Sequence, residues 1–148
     1  MVRQKSYLSR FSTIHAGVPQ GRVIGPLLYL IFTSDLPTDS KVFTFTYADD
    51  TAILFSHSNP KEASKKLQNH LLLIEQWLLK WRIRVNENKS THVTFTLRRG
   101  NCPHIKINNK FIPQKNEVNY LGVHLDKRLT WKKHIETKRM QAKLKLIN

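Results

Sequence analysis

Cysteine is almost missing from this chain of 148 residues, and the single Cys102 allows no intramolecular disulfide and suits a reducing compartment. Long apolar runs are missing too. The longest, residues 23–32, is broken by Gly25 and Pro26 and ends before Asp35, far short of the ~20 residues a membrane helix needs. No signal-peptide pattern follows the charged N-terminal residues, so the sequence predicts an intracellular protein with no membrane span, nuclear and cytoplasmic being indistinguishable. Acidic residues are scarce: 10 Asp and Glu face 25 Lys and Arg, a net charge of +15. With 40% hydrophobic residues the chain can bury a core, so this imbalance is not that of a disordered tail. It points to a polyanionic partner, nucleic acid or an anionic membrane surface, with a solvated basic surface as the plainer alternative. The length suits one domain, or a piece of a larger one.

What is present falls into recognisable segments. Residues 7–15 lean towards β-structure and run into a turn-rich loop, Gly17-Val18-Pro19-Gln20-Gly21. Pro26 suits the first turn of a helix that Leu27, Leu28, Leu30, Ile31 and Phe32 make apolar nearly all round, which predicts a buried helix ending at Asp35-Leu36-Pro37. Two β-rich runs in residues 42–55 flank Asp49-Asp50, predicting a hairpin with the acids at its tip and Phe43, Phe45 and Tyr47 on one face. Ser58-Asn59-Pro60 then caps a helix whose Ala63, Leu67, Leu71, Ile74, Leu78 and Trp81 recur at spacings of three and four, with Lys61, Lys65, Lys66 and Gln68 on its outer face. Val93, Phe95 and Leu97 alternate with polar residues as in a half-exposed strand. Ile105 to Ile112 resembles a small hairpin about Asn108-Asn109, and residues 118–125 read as one further strand. A Lys-rich helix follows Thr130.

Two adjacent carboxylates on a tight turn offer hard oxygen ligands to a divalent cation such as Mg²⁺, although Asp-Asp pairs on surface turns are common. Their setting is more telling. Tyr47-Ala48-Asp49-Asp50 resembles the YxDD hairpin of reverse transcriptases, and Gly17-Val18-Pro19-Gln20-Gly21, about thirty residues upstream, resembles the glycine-rich PQG motif of that family. Trp81-Arg82-Ile83-Arg84-Val85-Asn86-Glu87-Asn88-Lys89-Ser90 resembles the motif that follows the hairpin, and Tyr120-Leu121-Gly122-Val123 the strand element near the primer. Four motifs in one order, covering the chain from about Gly17 onward, are similar to the jockey-type reverse transcriptases of non-LTR retrotransposons.

The resemblance implies an α+β fold: an antiparallel palm sheet with helices packed on one face over residues 1–130, and the start of the thumb in residues 131–148. It implies RNA-directed DNA polymerisation on an RNA template with a DNA primer and deoxynucleoside triphosphates, supported by two Mg²⁺ ions or by Mn²⁺. Asp49 would be a direct metal ligand, with Asp50 holding the second metal or tuning the first carboxylate. Lys89 would protonate or steady the departing pyrophosphate. Pro19, Gln20, Gly21, Arg22 and Tyr47 would lie against the template and incoming nucleotide, and Tyr120, Leu121 and Gly122 on the primer side. Two departures stand out. Arg22 replaces the serine usual after PQG, and residues 1–16 contain no acid to match the family's upstream aspartate motif. The sequence therefore also admits a second reading, a non-catalytic nucleic-acid-binding remnant of a mobile element. Elsewhere, Cys102-Pro103-His104 is too poor in ligands for zinc and reads as a loop, His57, His70 and His92 stand in no triad spacing, and His134 on the last helix reads as structural.

Overall fold

A computed structural model describes residues 3–4, 7–8, 21, 23–100 and 102–147, and the chain divides into two units, Met1–Asp35 and Leu36–Asn148. In the first, β1 (Arg3–Gln4) pairs antiparallel with β2 (Tyr7–Leu8). The rest of the β-leaning stretch, and Pro19, Gln20 and Arg22 of the motif loop, lie outside the described residues. α1 spans Ile24–Phe32 and closes where the Thr33 amide and hydroxyl both donate to the Tyr29 carbonyl at 2.9 Å. The helix forms as predicted, but it is not buried: none of its residues is, and Leu30 and Ile31 are 64% and 62% exposed. A unit of 35 residues encloses too little volume to cover a helix on every side.

The second unit is organised by α2, Pro60–Trp81. Its start follows the predicted chemistry, since Asn59 Oδ1 accepts from the Lys61 amide at 2.9 Å and Pro60 fills the first helical position. It stops at Arg82, which adopts a left-handed conformation (φ 55°). Leu71, Ile74, Trp77 and Leu78 form the buried stripe. Leu71 packs with Ile105, Ile107 and Ile112, while Ile74, Trp77 and Leu78 form an adjoining cluster, and Ile53 and Val85 lie against both. Ala63, Leu67 and Trp81, expected on this face, are half-buried at its margins. The outer face is less solvated than predicted. Lys66 is paired with Asp39 at 2.6 Å, and the Gln68 amide makes two hydrogen bonds, of 3.0 and 2.7 Å, with the backbone of Lys106.

The predicted hairpins form, but as separate ladders and not as one sheet. β3 (Phe43–Tyr47) pairs with β4 (Asp50–Leu54), β5 (Lys106–Ile107) with β6 (Lys110–Phe111), and β7 (Glu117–Tyr120) with β8 (Val123–Asp126), all antiparallel. Period-two patterning sets which face of a strand is apolar, and it does not specify which edges join. Asn108 and Asn109 both have positive φ (51° and 60°), as the two-residue hairpin turn demands. The same chemistry corrects the single strand expected over residues 118–125: Leu121 and Gly122 (φ 49° and 79°) turn the chain back on itself. Residues 93–97 form no strand. They run beside the 113–127 segment through isolated backbone bonds such as His92 N to the Pro113 carbonyl and Thr96 N to the Lys127 carbonyl, both 2.9 Å. α3, Lys132–Ile147, follows a loop gathered by Asp126, whose carboxylate accepts from the amides of Arg128 and Thr130 and from the Thr130 hydroxyl. The observed architecture is α+β, and no described helix is long and apolar enough to cross a membrane.

Candidate active-site hairpin

Alternation along β3 divides its side chains between two environments. Thr44 faces the helix: its Oγ1 shares a 3.1 Å hydrogen bond with Nε2 of His70, which is 1% exposed and the most deeply buried large side chain described. Ile53, opposite Thr44, reaches the core clusters, and Val42 is buried at the hairpin's base. Phe43, Phe45 and Tyr47 lie on the other face, exposed, with the two phenylalanine rings stacked at 6.3 Å. Asp50 pairs directly with Tyr47 and so shares this aromatic face.

The turn itself is Ala48-Asp49. Ala48 is held at φ 49°, a conformation that costs an L-residue roughly 1–2 kcal/mol and that the tight turn imposes. Asp49 and Asp50 are both exposed. Two neighbouring carboxylates open to solvent match the donor number that Mg²⁺ commonly takes from protein when substrate phosphates and water complete its shell. Among the described residues no group of three or more His, Cys, Asp or Glu gathers to hold a metal, so the pair has no third acid beside it.

The other predicted site residues are dispersed along the chain. Lys89 is exposed in a turn after α2, its amide bonded to the Asn86 carbonyl at 3.1 Å. Tyr120 is half-buried and ends β7, while Leu121 and Gly122 are the exposed turn. Gly21 and Gly122 have positive φ (83° and 79°), and among the described residues beyond their chain neighbours no atom lies within 4 Å of where a Cβ would stand on either. Among the described residues, glycine at these positions answers a backbone requirement.

Motif spacing gives His70 no catalytic role, and its position between Leu67 and Ile74 puts it on the apolar stripe. Burial holds its pKa below the ordinary histidine value; the nearby Asp39 charge opposes this and Lys66 reinforces it. Burial likewise depresses His92, with His104 adding to the effect. Asp39 lies below the usual carboxylate range because Lys66 and the Lys41 amide bond it. Glu87, bonded by the Asn108 side chain, is also lowered, and it clasps the β5–β6 turn together with Glu75, which accepts from the Asn108 amide at 2.7 Å. Cys102 is buried within 3.3 Å of the Ser64 hydroxyl in the expected loop, and His134 Nδ1 accepts from the His124 amide at 3.4 Å.

A two-residue hairpin that carries adjacent acids at its tip and an aromatic face beneath them is the setting in which the sequence comparisons take on meaning. Residues 2–125 match the family profile of reverse transcriptase (RNA-dependent DNA polymerase), and the chain belongs to that family. Its similarity is to enzymes of the jockey type. It is 41% identical over 137 residues to the RNA-directed DNA polymerase from mobile element jockey of Drosophila melanogaster, covering 87% of this chain and 15% of that protein. It is 36% identical over 150 aligned positions to the probable RNA-directed DNA polymerase from transposon X-element, and 38% over 146 to that from transposon BS, both of Drosophila melanogaster. These alignments cover 98% and 92% of this chain, but the chain spans only 16% of the length of either relative. No solved structure matches the chain.

Proposed function

We propose that this chain is the palm segment, residues 1–130, and the first thumb helix, residues 131–148, of an RNA-directed DNA polymerase from a non-LTR retrotransposon. The observation that carries the reading is the β3–β4 hairpin, whose inner face is tied into the core through Thr44 and Ile53 while Asp49 and Asp50 stand exposed at its end. Asp49 and Asp50 would hold Mg²⁺ or Mn²⁺. Bound there, the cations would stabilise charge on the attacking 3′-hydroxyl oxygen and on the leaving phosphate. Tyr47, on the same face as Asp50, offers its ring to the template-primer end. Lys89 would protonate the departing pyrophosphate or, remaining charged, steady its negative charge. Pro19, Gln20, Gly21 and Arg22 line the incoming nucleotide and template, and Tyr120, Leu121 and Gly122 the primer. RNA template, DNA primer and deoxynucleoside triphosphates are the partners of this reading.

The test is a chimera in which residues 17–131 replace the matching segment of the jockey polymerase. Templated, Mg²⁺-dependent extension of a DNA primer on RNA supports the reading. A chimera that folds and binds the RNA–DNA hybrid but extends nothing favours the non-catalytic remnant. The isolated chain is expected not to extend a primer, because Asp49 and Asp50 have no third acid beside them among the described residues.

A further inference from the structure

Away from the β3–β4 hairpin, a cleft of about 290 Å³ opens between the 94–96 segment, the 114–116 segment and Lys127. Its lining is Thr94, His104, Gln114, Lys115, Asn116 and Lys127. Two lysines, a histidine, two carboxamide residues and a threonine line it, and no acidic residue does. The backbone fixes this arrangement. The Lys115 amide donates to the His92 carbonyl at 2.9 Å, Lys127 N to the Asn116 carbonyl at 2.7 Å, and Thr96 N to the Lys127 carbonyl at 2.9 Å. Gln114 Nε2 also reaches Thr94 Oγ1 at 3.4 Å.

The charge is unanswered from within. Among the described residues the Lys127 ammonium makes one polar contact, with the Gly100 carbonyl at 3.4 Å, and no carboxylate pairs with Lys115 or Lys127. Asp126, the adjacent acid, is engaged by the Arg128 and Thr130 donors. Holding two like charges at one cleft is unfavourable unless an anion joins them. At about 30 Å³ per water, the space admits a phosphate group with several waters.

We propose that this cleft is a phosphate subsite, in which Lys115 and Lys127 supply the charge and Gln114 and Asn116 supply amide donors for one backbone phosphate of a bound nucleic-acid strand. It rests on the nucleic-acid partner proposed above, but on none of the residues assigned there to catalysis, template or primer. Charge and amide donors, with no Phe, Tyr or Trp in the lining, fit a sequence-independent phosphate contact and not base readout.

The experiment measures binding of a labelled RNA–DNA hybrid by the 148-residue chain across a salt series, alongside amide chemical shifts during titration with inorganic phosphate. Neutralising both lysines, Lys115→Ala with Lys127→Ala, should make the slope of log K against log salt shallower by about 0.8, the loss of one phosphate contact, and the Lys→Arg pair at both positions should restore it. An unchanged slope in the alanine pair overturns the proposal. If the slope is unchanged while inorganic phosphate shifts the Asn116 and Lys127 amides of the parent chain only, the cleft takes a free phosphate and the strand assignment fails. If the parent chain shows no salt-dependent binding of the hybrid, the template-primer reading fails separately; the phosphate titration then decides the cleft, and no shift at Asn116 or Lys127 rejects it.

Discussion

The two ends of the β3–β4 hairpin make opposite uses of polar side chains. At the helix-facing side, the half-buried Thr44 is bonded to the enclosed His70, and Asp39 is matched to Lys66 on α2. At the tip, Asp49 and Asp50 face solvent. Buried polar groups cost stability unless they find partners, so the inner end can only serve the fold. Exposed acids at a tight turn add little to stability, which leaves them available to chemistry. The same contrast separates the helices. α1, nearly all apolar, buries nothing, whereas α2, amphipathic and lysine-bearing, buries six residues. Burial follows the partner that a face meets and not its composition alone.

If the two ends are functionally separate, damage to the inner side should lower stability and damage to the tip should not. The largest effect is expected from Trp77→Ala or Leu71→Ala in the α2 stripe, a loss of roughly 3–5 kcal/mol read by urea denaturation. A loss below 1 kcal/mol would mean that the core lies elsewhere. Next, His70→Ala leaves a cavity and an unpartnered Thr44 hydroxyl, at a cost of about 2–4 kcal/mol. Thr44→Val in the His70→Ala background should then add little, since the bond between them is already gone.

A pH series sharpens the same contrast. His70 and His92 titrate below 6.5 when folded and near 6.5 when unfolded. The unfolded chain therefore binds more protons, and stability that is full above that value declines as pH falls through it towards the depressed folded values. Lowering pH from about 7.5 to about 5.5 should reduce the urea midpoint, by less in His70→Gln. The lowered Asp39 and Glu87 contribute only further down, as pH drops through their ordinary values of 3.8 and 4.5. A midpoint indifferent to pH above 5 would show that the buried histidines are not held neutral by the fold. The smallest effect should come from Asn59→Ala, about 1 kcal/mol for the lost helix cap.

Local chemistry carried most of what the sequence disclosed. The Asn59-Pro60 cap, the Asn108-Asn109 turn and the hairpin about Asp49-Asp50 each depend on a few neighbouring residues; the first two form as predicted, and the hairpin forms with its turn one residue earlier, at Ala48-Asp49, so that Asp50 begins β4. What failed depends on distant partners. Residues 93–97 have a strand's alternation, but only scattered backbone bonds reach them. Leu121-Gly122 turns inside an apolar run because the hairpin tolerates positive φ at a leucine, which composition does not announce. The basic cleft at Lys115 and Lys127 joins residues that the chain separates and that only folding brings together.

The measurement that bears most directly on the central claim is primer extension by the jockey chimera carrying Asp49→Asn, with hybrid binding and urea stability measured on the same preparation. Extension should be abolished while binding and stability stay near those of the unmutated chimera, since the substitution removes a proposed metal ligand and no phosphate contact or core group. Extension at close to the unmutated rate would contradict the assignment of Asp49 to the active site.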